Sequence, residues 1–579
     1  MKKVLEQKVV EAVQNVYGVV LDEVLVEHPD NSKYGDFSTN VSLTLKGKVD
    51  QSPMEIAKKL CYELQSFDLY KYVEHKKIKY FESIDFVSPG FINFKLSQDW
   101  LKSVPFDISS NPHSYGSSKI GDKKTVLLEY SQPNPNKPLH IGHSRNNFLG
   151  SSLANIFDFL GYNVIRANYM NDWGIHICKS MLMYKKYHFG EIFNMKPDHF
   201  VGRLYTEYGR REINDPNLKE EVGEMFRKLE LGDAETVDLW KKITHWVYEG
   251  WKETYDNEGV IFDIWFYQNE YRKSGKDVVN KAVTDGIAEK DSSGAIIAKL
   301  KDKYGIPDKV LLRADGTSVY ATQDIQLAKD GYDKYKFDKR FYIVDYRQND
   351  YFKQVFLIAK ALGYSWADRL YHISYGTVEL PEGKMSSREG LVVNADEVFT
   401  KLVEFEKDEI KGKVDNFEDT ARKVALAAYR FGMLKVSPKQ NIVFDYDKVT
   451  KYEGNTGPYL MYTHSRASSV LGKAGFMEDL IGDYSSEDVS LESSEKDLLR
   501  VVYKFPEVVE EAGEHLAPNL IANFALELAQ TFNTFYGNVS ILSTADRNQK
   551  LFRLHLVSSV AHVIENALNL LGIQTVSKM

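Results

Sequence analysis

Residues 125–170 read TVLLEYSQPNPNKPLHIGHSRNNFLGSSLANIFDFLGYNVIRANYM, and the order of elements in this stretch decides the fold. TVLLEY (125–130) is a short apolar run of the kind that forms a buried strand. The polar loop SQPNPNKPLH leads into a helix carrying Leu149, Leu153, Ile156 and Leu160 at helical spacing. Gly161 ends that helix, and NVIRANYM (163–170) reads as a second strand. Strand, crossover helix and strand make a βαβ unit, whose two strands run parallel. FYIVDY (341–346), a helix over 349–362 and the strand-like LYHISYGTVEL (370–380) predict a second such unit. Between the two, about 185–305 is polar and helical and reads as an insertion. An α/β parallel sheet interrupted by an insertion is the expectation for this part of the chain.

Outward from that sheet, the N-terminal block is a small α+β domain. Ser52-Pro53-Met54-Glu55 is a capping box with Pro at the first helical position, and Ile92, Phe94 and Leu96 alternate as in a half-buried strand. The first residues, MKKVLEQKVVEAV, resemble a signal n-region, but Glu6, Gln7, Lys8 and Glu11 break any apolar core and favour an amphipathic helix. Residues 107–124 are rich in Ser, Gly, Asn and Pro and read as a linker. Beyond about 400 the pattern is helical almost throughout. In the last helix Leu556, Val560, Val563, Ala567 and Leu570 form a bundle-facing stripe, while 482–495 (GDYSSEDVSLESSE) reads as a surface loop. The expected divisions are 1–112, 113–400 and 401–579.

Composition narrows the class. At 579 residues the chain is long enough for roughly three to four domains. Hydrophobic residues are 43% and charged residues 27%, with 16 Pro and 37 Gly, which excludes collagen-like and disordered chains. Two cysteines, Cys61 and Cys178, are too few for a disulfide framework or a thiolate zinc site, so no zinc is expected. No run approaches 18 apolar residues, and a cytoplasmic protein with no membrane span is the default. Lys plus Arg is 74 and Asp plus Glu is 82, a net charge of −8, so the chain does not advertise nucleic acid. A local basic face can still track phosphates.

Two motifs carry chemistry. His140-Ile141-Gly142-His143 sits where the loop after the first strand becomes helix, with two imidazoles on one face of the first turn. Gly142 lets a flat ring approach the backbone, and the helix N-terminus favours phosphate. Together these fit an ATP site at the C-terminal edge of a parallel sheet. The alternative for the motif is a helix cap with two surface histidines. Gly383-Lys384-Met385-Ser386-Ser387-Arg388-Glu389-Gly390 follows the second βαβ unit and offers phosphate donors from Lys384, the serines and Arg388. By itself it is an exposed basic turn.

As a pair, H-x-G-H after the first strand and K-M-S-S after a later βαβ unit resemble the signatures of class I aminoacyl-tRNA synthetases. The resemblance narrows to the arginyl-tRNA synthetase family and covers nearly the whole chain. It is carried by EYSQPNPNKPLH (129–140), Asn168-Tyr169 with Asp172-Trp173-Gly174, DGTSVYATQD (315–324) and YIVDYRQ ending at Gln348. YGDFSTN (34–40), PGFINF (89–94), FDYDK, EGNTGPYLMYTHSR (453–466) and the final LNLLGIQTVSKM match as well. One departure is that Ser387 stands where class I signatures usually place a second lysine; many arginyl enzymes share it, and Lys137 is thought to supply the charge.

The resemblance implies a Rossmann-type catalytic domain with an insertion, an N-terminal tRNA-contacting α+β domain and an α-helical anticodon-binding domain. It implies activation of L-arginine with ATP and transfer to the 2′-hydroxyl of the terminal adenosine of tRNA(Arg), with Mg²⁺ accompanying the nucleotide and a monomer as the working unit. By the same resemblance His140, His143, Lys137 and Lys384 act in the reaction, and Gly142, Met385, Ser386 and Ser387 complete the ATP site. Glu129 and Asp324 would hold the guanidinium with Tyr320 beside them, while Ser131, Asn134, His140 and Gln348 would hold the rest of the amino acid. Tyr320 and Asp324 are four apart, so a helix would put them on one face. Tyr459, Tyr462, Arg466, Tyr536 and Met579 are the tRNA candidates, aromatic stacking being the usual way to hold an unstacked base. A small-molecule adenylyltransferase would share H-x-G-H but has no need of the first and last blocks. A non-catalytic RNA-binding paralogue would break the signatures, and here both histidines, Lys384 and Asp324 are present. A cysteinyl enzyme lacks the thiolates for its zinc.

Overall fold

In the computed structural model the described residues are 1–29, 31–73, 76–271, 275–317, 319–381, 393–414, 416–475 and 488–579. Lys384, Met385, Ser386, Ser387 and Arg388 therefore lie outside the described residues.

The centre is a five-stranded sheet of β1 (Thr125–Glu129), β2 (Asn163–Met170), β3 (Ile264–Tyr267), β4 (Lys339–Asp345) and β5 (Leu370–Tyr375). Its order is β5-β4-β1-β2-β3, and every neighbouring pair is parallel. β1 is an unbroken apolar run because both its faces are covered. Val126 and Leu128 face helix α1 (Ile141–Phe159) and pack with Leu149, Leu153, Phe341 and Ile343. Leu127 points the other way, into a second cluster with Tyr342, Ile325, Ala328 and Ile358. The period of two along β1 thus feeds two separate cores.

Three helices of the stretch expected as an insertion, α2 (Pro197–Glu212), Asn217–Leu231 and α3 (Ala234–Glu258), pack on one another and on the helix Ile175–Tyr187 that precedes it. That stretch is not wholly outside the sheet, because β3 falls within it and pairs with Ala167–Met170. A four-residue strand after a 25-residue helix leaves little periodic signal. An antiparallel three-stranded sheet (Ala288–Lys290, Ile296–Ala298, Lys309–Leu312) follows. Helices α4 (Tyr320–Tyr335) and α5 (Asn349–Ala361) then cover the second face, and α6 (Ala395–Ile410) opens the helical C-terminal part.

The N-terminal part holds a four-stranded antiparallel sheet and the amphipathic helix Lys2–Tyr17, which buries Leu5, Val9, Ala12 and Val13. The capping box forms as read, with Ser52 Oγ accepting from the Glu55 amide and Glu55 answering to the Ser52 amide. In the last helix, Arg547–Leu570, the whole expected stripe is buried. The polar segment near 490 is a correction. Helix Ser493–Val502 starts inside it, and Glu492 and Glu495 pair with Arg553 at 2.6 and 2.8 Å. In the described end of that segment Glu492 and Glu495 are helix-start chemistry, while 482–487 lie outside the described residues. Among the described residues no helix is long and apolar enough to cross a membrane. Cys61 and Cys178 are buried free thiols.

Candidate active site

Strand order reverses between β1 and β4, and at such a switch point the carboxyl ends of the strands leave a crevice. A cleft of about 610 Å³ opens there. Its lining includes Ser131, Asn134, Lys137, His140, Gly142, His143 and Gln348, all expected from the sequence.

The turn out of β1 is held under strain. Ser131 and Gln132 both have positive φ, 75° and 52°, which non-glycine residues adopt only when their surroundings insist. The Ser131 amide donates to Asn146 Oδ1 at 2.7 Å and the Gln132 amide to Asn168 Oδ1 at 3.0 Å. Asn146 also donates to the Ile343 carbonyl at 2.8 Å, so a single side chain of α1 joins the turn to β4.

His140 is the N-cap of α1. Its Nδ1 accepts from the Gly142 amide, and His143 Nδ1 accepts from the His140 amide, both at 3.1 Å. Their ring centroids lie 3.8 Å apart. Burial, with the Lys137 charge adding to it, pushes His140 down to about 3. Burial also takes His143 well below the ordinary imidazole range, with His140 and Lys137 adding to it. Both rings are neutral at pH 7 and can give or take hydrogen bonds but not positive charge. Positive charge comes from Lys137, whose own pKa burial lowers. No acceptor among the described residues is hydrogen-bonded to its ammonium, so it is poised for an anion in the cleft.

Glu129, Tyr320 and Asp324 are not among the residues that line the cleft. Glu129 is buried at the end of β1 and already engaged: Oε2 meets Arg340 Nη2 at 2.5 Å, and Oε1 accepts from Gln132 at 2.9 Å. Arg340 is fully buried over the Tyr342 and Phe266 rings. Asp324 sits one turn along α4 from Tyr320, which is 53% exposed. The Tyr351 hydroxyl donates to Asp324. Burial, reinforced by Glu129, still pushes Asp324 up to about 7. Tyr169 shares this environment, and burial raises its phenol beside Asp324 and Glu129. A cation arriving at Asp324 would find a carboxyl ready to ionise against it.

The remaining candidates lie in the C-terminal helices. Arg466 lies over the Tyr462 ring at 4.8 Å and the Tyr536 ring at 5.4 Å. Its guanidinium donates to Asn533, which donates to the Tyr459 hydroxyl at 2.8 Å. Tyr462 and Tyr536 are 40% and 42% exposed, and Met579 is half-buried against the core. Arg340, Asn146 and Tyr351 escaped the sequence reading. Each acts across a long sequence separation, where no spacing rule applies.

Comparison with known proteins gives a consistent picture. The family model of class I tRNA synthetases (R), catalytic domain, matches residues 107–446. The arginyl tRNA synthetase N terminal domain matches 3–96, and the DALR anticodon binding domain matches 460–579. An arginine–tRNA ligase of Bacteroides thetaiotaomicron is 39% identical over 523 residues, covering 85% of this chain and 87% of that one. One of Treponema denticola is 35% identical, with 95% and 94% covered. The Thermus thermophilus arginyl-tRNA synthetase structure superposes with a TM-score of 0.83 at 25% identity, over the full length of both chains.

Proposed function

The chain belongs to the arginyl-tRNA synthetase family, and from that premise we propose that it joins L-arginine to tRNA(Arg) at the expense of ATP. The observation that carries the reading is the pairing, across the β1–β4 switch, of an anion-seeking cleft (Lys137, His140, His143) with a cation-seeking carboxyl (Asp324).

In the first step the arginine carboxylate attacks the α-phosphorus of ATP, forming arginyl-adenylate and releasing pyrophosphate. The substrate is its own nucleophile, so the protein has only to align the reactants and stabilise phosphate charge. The neutral imidazoles of His140 and His143 donate hydrogen bonds to phosphate oxygens, and Lys137 supplies fixed charge, shared with Lys384. Met385, Ser386 and Ser387 belong to the same proposed ATP contacts, and Gly142 leaves room for the nucleotide. Mg²⁺ would accompany the nucleotide and neutralise part of the β,γ-phosphate charge; the cleft carboxylate Asp345 is already held through both oxygens by Arg347. Asp324 pairs with the guanidinium beside Tyr320, while Glu129 acts with Arg340 as the wall behind it. Ser131, Asn134 and Gln348 hold the α-amino and carboxylate ends. In the second step the ribose 2′-hydroxyl of the terminal adenosine attacks the anhydride carbonyl, and AMP leaves.

Tyr459, Tyr462, Tyr536 and Arg466 offer stacking and charge to unpaired bases, and the N-terminal domain meets the tRNA body. We take the working unit to be a cytoplasmic monomer with the three divisions 1–112, 113–400 and 401–579. The test is ATP–pyrophosphate exchange across the amino acids, with and without tRNA(Arg). Exchange with arginine alone among them supports the reading, and dependence on added tRNA would show that tRNA completes the site. No exchange in either condition would overturn it.

A further inference from the structure

Two insertion helices stand behind the loop that presents Lys137 and His140. Gly202 of α2 is so close to Pro138 that a Cβ there would come within 2.6 Å of the proline Cδ. On α3 the Trp251 indole donates to the Lys137 carbonyl at 3.1 Å. Both helices also converge on one carboxylate from outside the insertion. Lys196 Nζ and His199 Nε2 reach Asp396 Oδ2 at 2.7 and 2.9 Å, and Thr254 Oγ1 donates to Asp396 Oδ1 at 3.0 Å.

Asp396 lies in the first turn of α6, where the helix dipole favours a carboxylate. The preceding residue, Ala395, donates its amide to the Leu139 carbonyl at 2.9 Å, and the Val393 carbonyl accepts from the Ile141 amide at 3.1 Å. The backbone on each side of His140 is therefore zipped to a segment that Asp396 anchors. The anchor is sheltered: its side chain is 19% exposed and that of Lys196 is 12%. A metal ion shared by Asp198, His199 and Asp396 is not the better account. The Lys196 ammonium already stands 2.7 Å from Asp396 and 3.6 Å from Asp198.

We propose that Asp396 is a positioning residue for the ATP half of the site, through which the insertion helices set the backbone carrying Lys137 and His140. The inference rests on the synthetase reading above. Neither Asp396 nor Gly202 lines the cleft, so both can be altered without removing a cleft contact. Asp396→Asn keeps the side chain's shape but removes the negative charge that Lys196 and His199 meet. Gly202→Ala pushes on Pro138 directly. With tRNA(Arg) present, each variant is expected to lose about 10- to 100-fold in kcat/KM for ATP in pyrophosphate exchange, the scale of a small misplacement of reacting groups. The arginine KM should change far less than kcat/KM for ATP, since Asp324, proposed to hold the guanidinium, lies on α4 outside the displaced loop. Asp396→Glu should restore part of the loss, which a general folding defect would not allow. Melting curves identify any variant that fails to fold, and the other then carries the test. Wild-type exchange with variants unchanged toward ATP, or equally impaired toward both substrates, would overturn the positioning role alone. Absence of wild-type exchange would overturn the synthetase reading and this inference with it.

Discussion

At Asp324 opposing influences set the charge state. Burial and the neighbouring Glu129 disfavour the carboxylate, while the Tyr351 hydroxyl, Arg340 and Lys309 favour it, and the balance lies at about 7. A guanidinium binds the ionised form, so arginine affinity is full above that pH and falls below it, by up to about tenfold per pH unit. The arginine KM of the wild type should therefore rise as pH drops from 8 to 6. In Asp324→Asn it should be raised about 10- to 100-fold, the worth of one charge-assisted pair, and lose this pH dependence. Equal effects on the ATP and arginine requirements would place Asp324 elsewhere in the mechanism. Arg340 invites a different experiment. Replacing it by Met leaves Glu129 buried with only Gln132, which should cost about 3–5 kcal/mol in urea unfolding. Adding Glu129→Gln should return most of that loss, because a neutral amide no longer needs the cation.

Elements were legible where the signal is local. β1 showed as an apolar run, α1 by its period, and the His140–His143 cap by its spacing of three; Tyr320 and Asp324 came together because α4 is a helix. What escaped is tertiary. Glu129 and Arg340 are separated by 211 residues, and only the parallel register that sets Glu129 opposite Tyr342 brings them within reach. The same holds for Asn146, an unexceptional polar residue by sequence that closes the strained turn at Ser131. How closely α1 must approach β1 is visible at Gly150, where a Cβ would come within 2.3 Å of the buried Tyr130 ring. Gly150→Ala should force helix and strand apart at a cost of about 1–3 kcal/mol. Because α1 carries His140 and His143 at its start, exchange should fall as well. Unchanged stability would mean that the Tyr130 ring can move aside.

Across the whole molecule, three regions distant in sequence meet at one guanidinium. Arg430, fully buried, donates to the carbonyls of Glu258 and Gly259 at the end of α3, to Ser151 of α1 and to the Leu571 carbonyl beyond the last helix. Beside it α1 makes two further ties to the same C-terminal segment, from Ser152 to the Leu570 carbonyl and from Asn155 to that of Asn569. Burial lowers the Arg430 pKa to about 10 and raises Glu258 to about 7, so at neutral pH the arginine stays charged. Arg430→Met would fill similar space but leave several buried acceptors without a donor, a loss of at least about 3 kcal/mol. A joint of this kind couples the stability of the parts it connects, so its removal should do more than lower one melting temperature. In calorimetry the wild type should unfold with the C-terminal helices and parallel sheet melting together, and the variant should show the C-terminal helices melting first. A single transition shifted as a whole would mean that the packing of the last helix against α1, rather than the arginine, holds the molecule together.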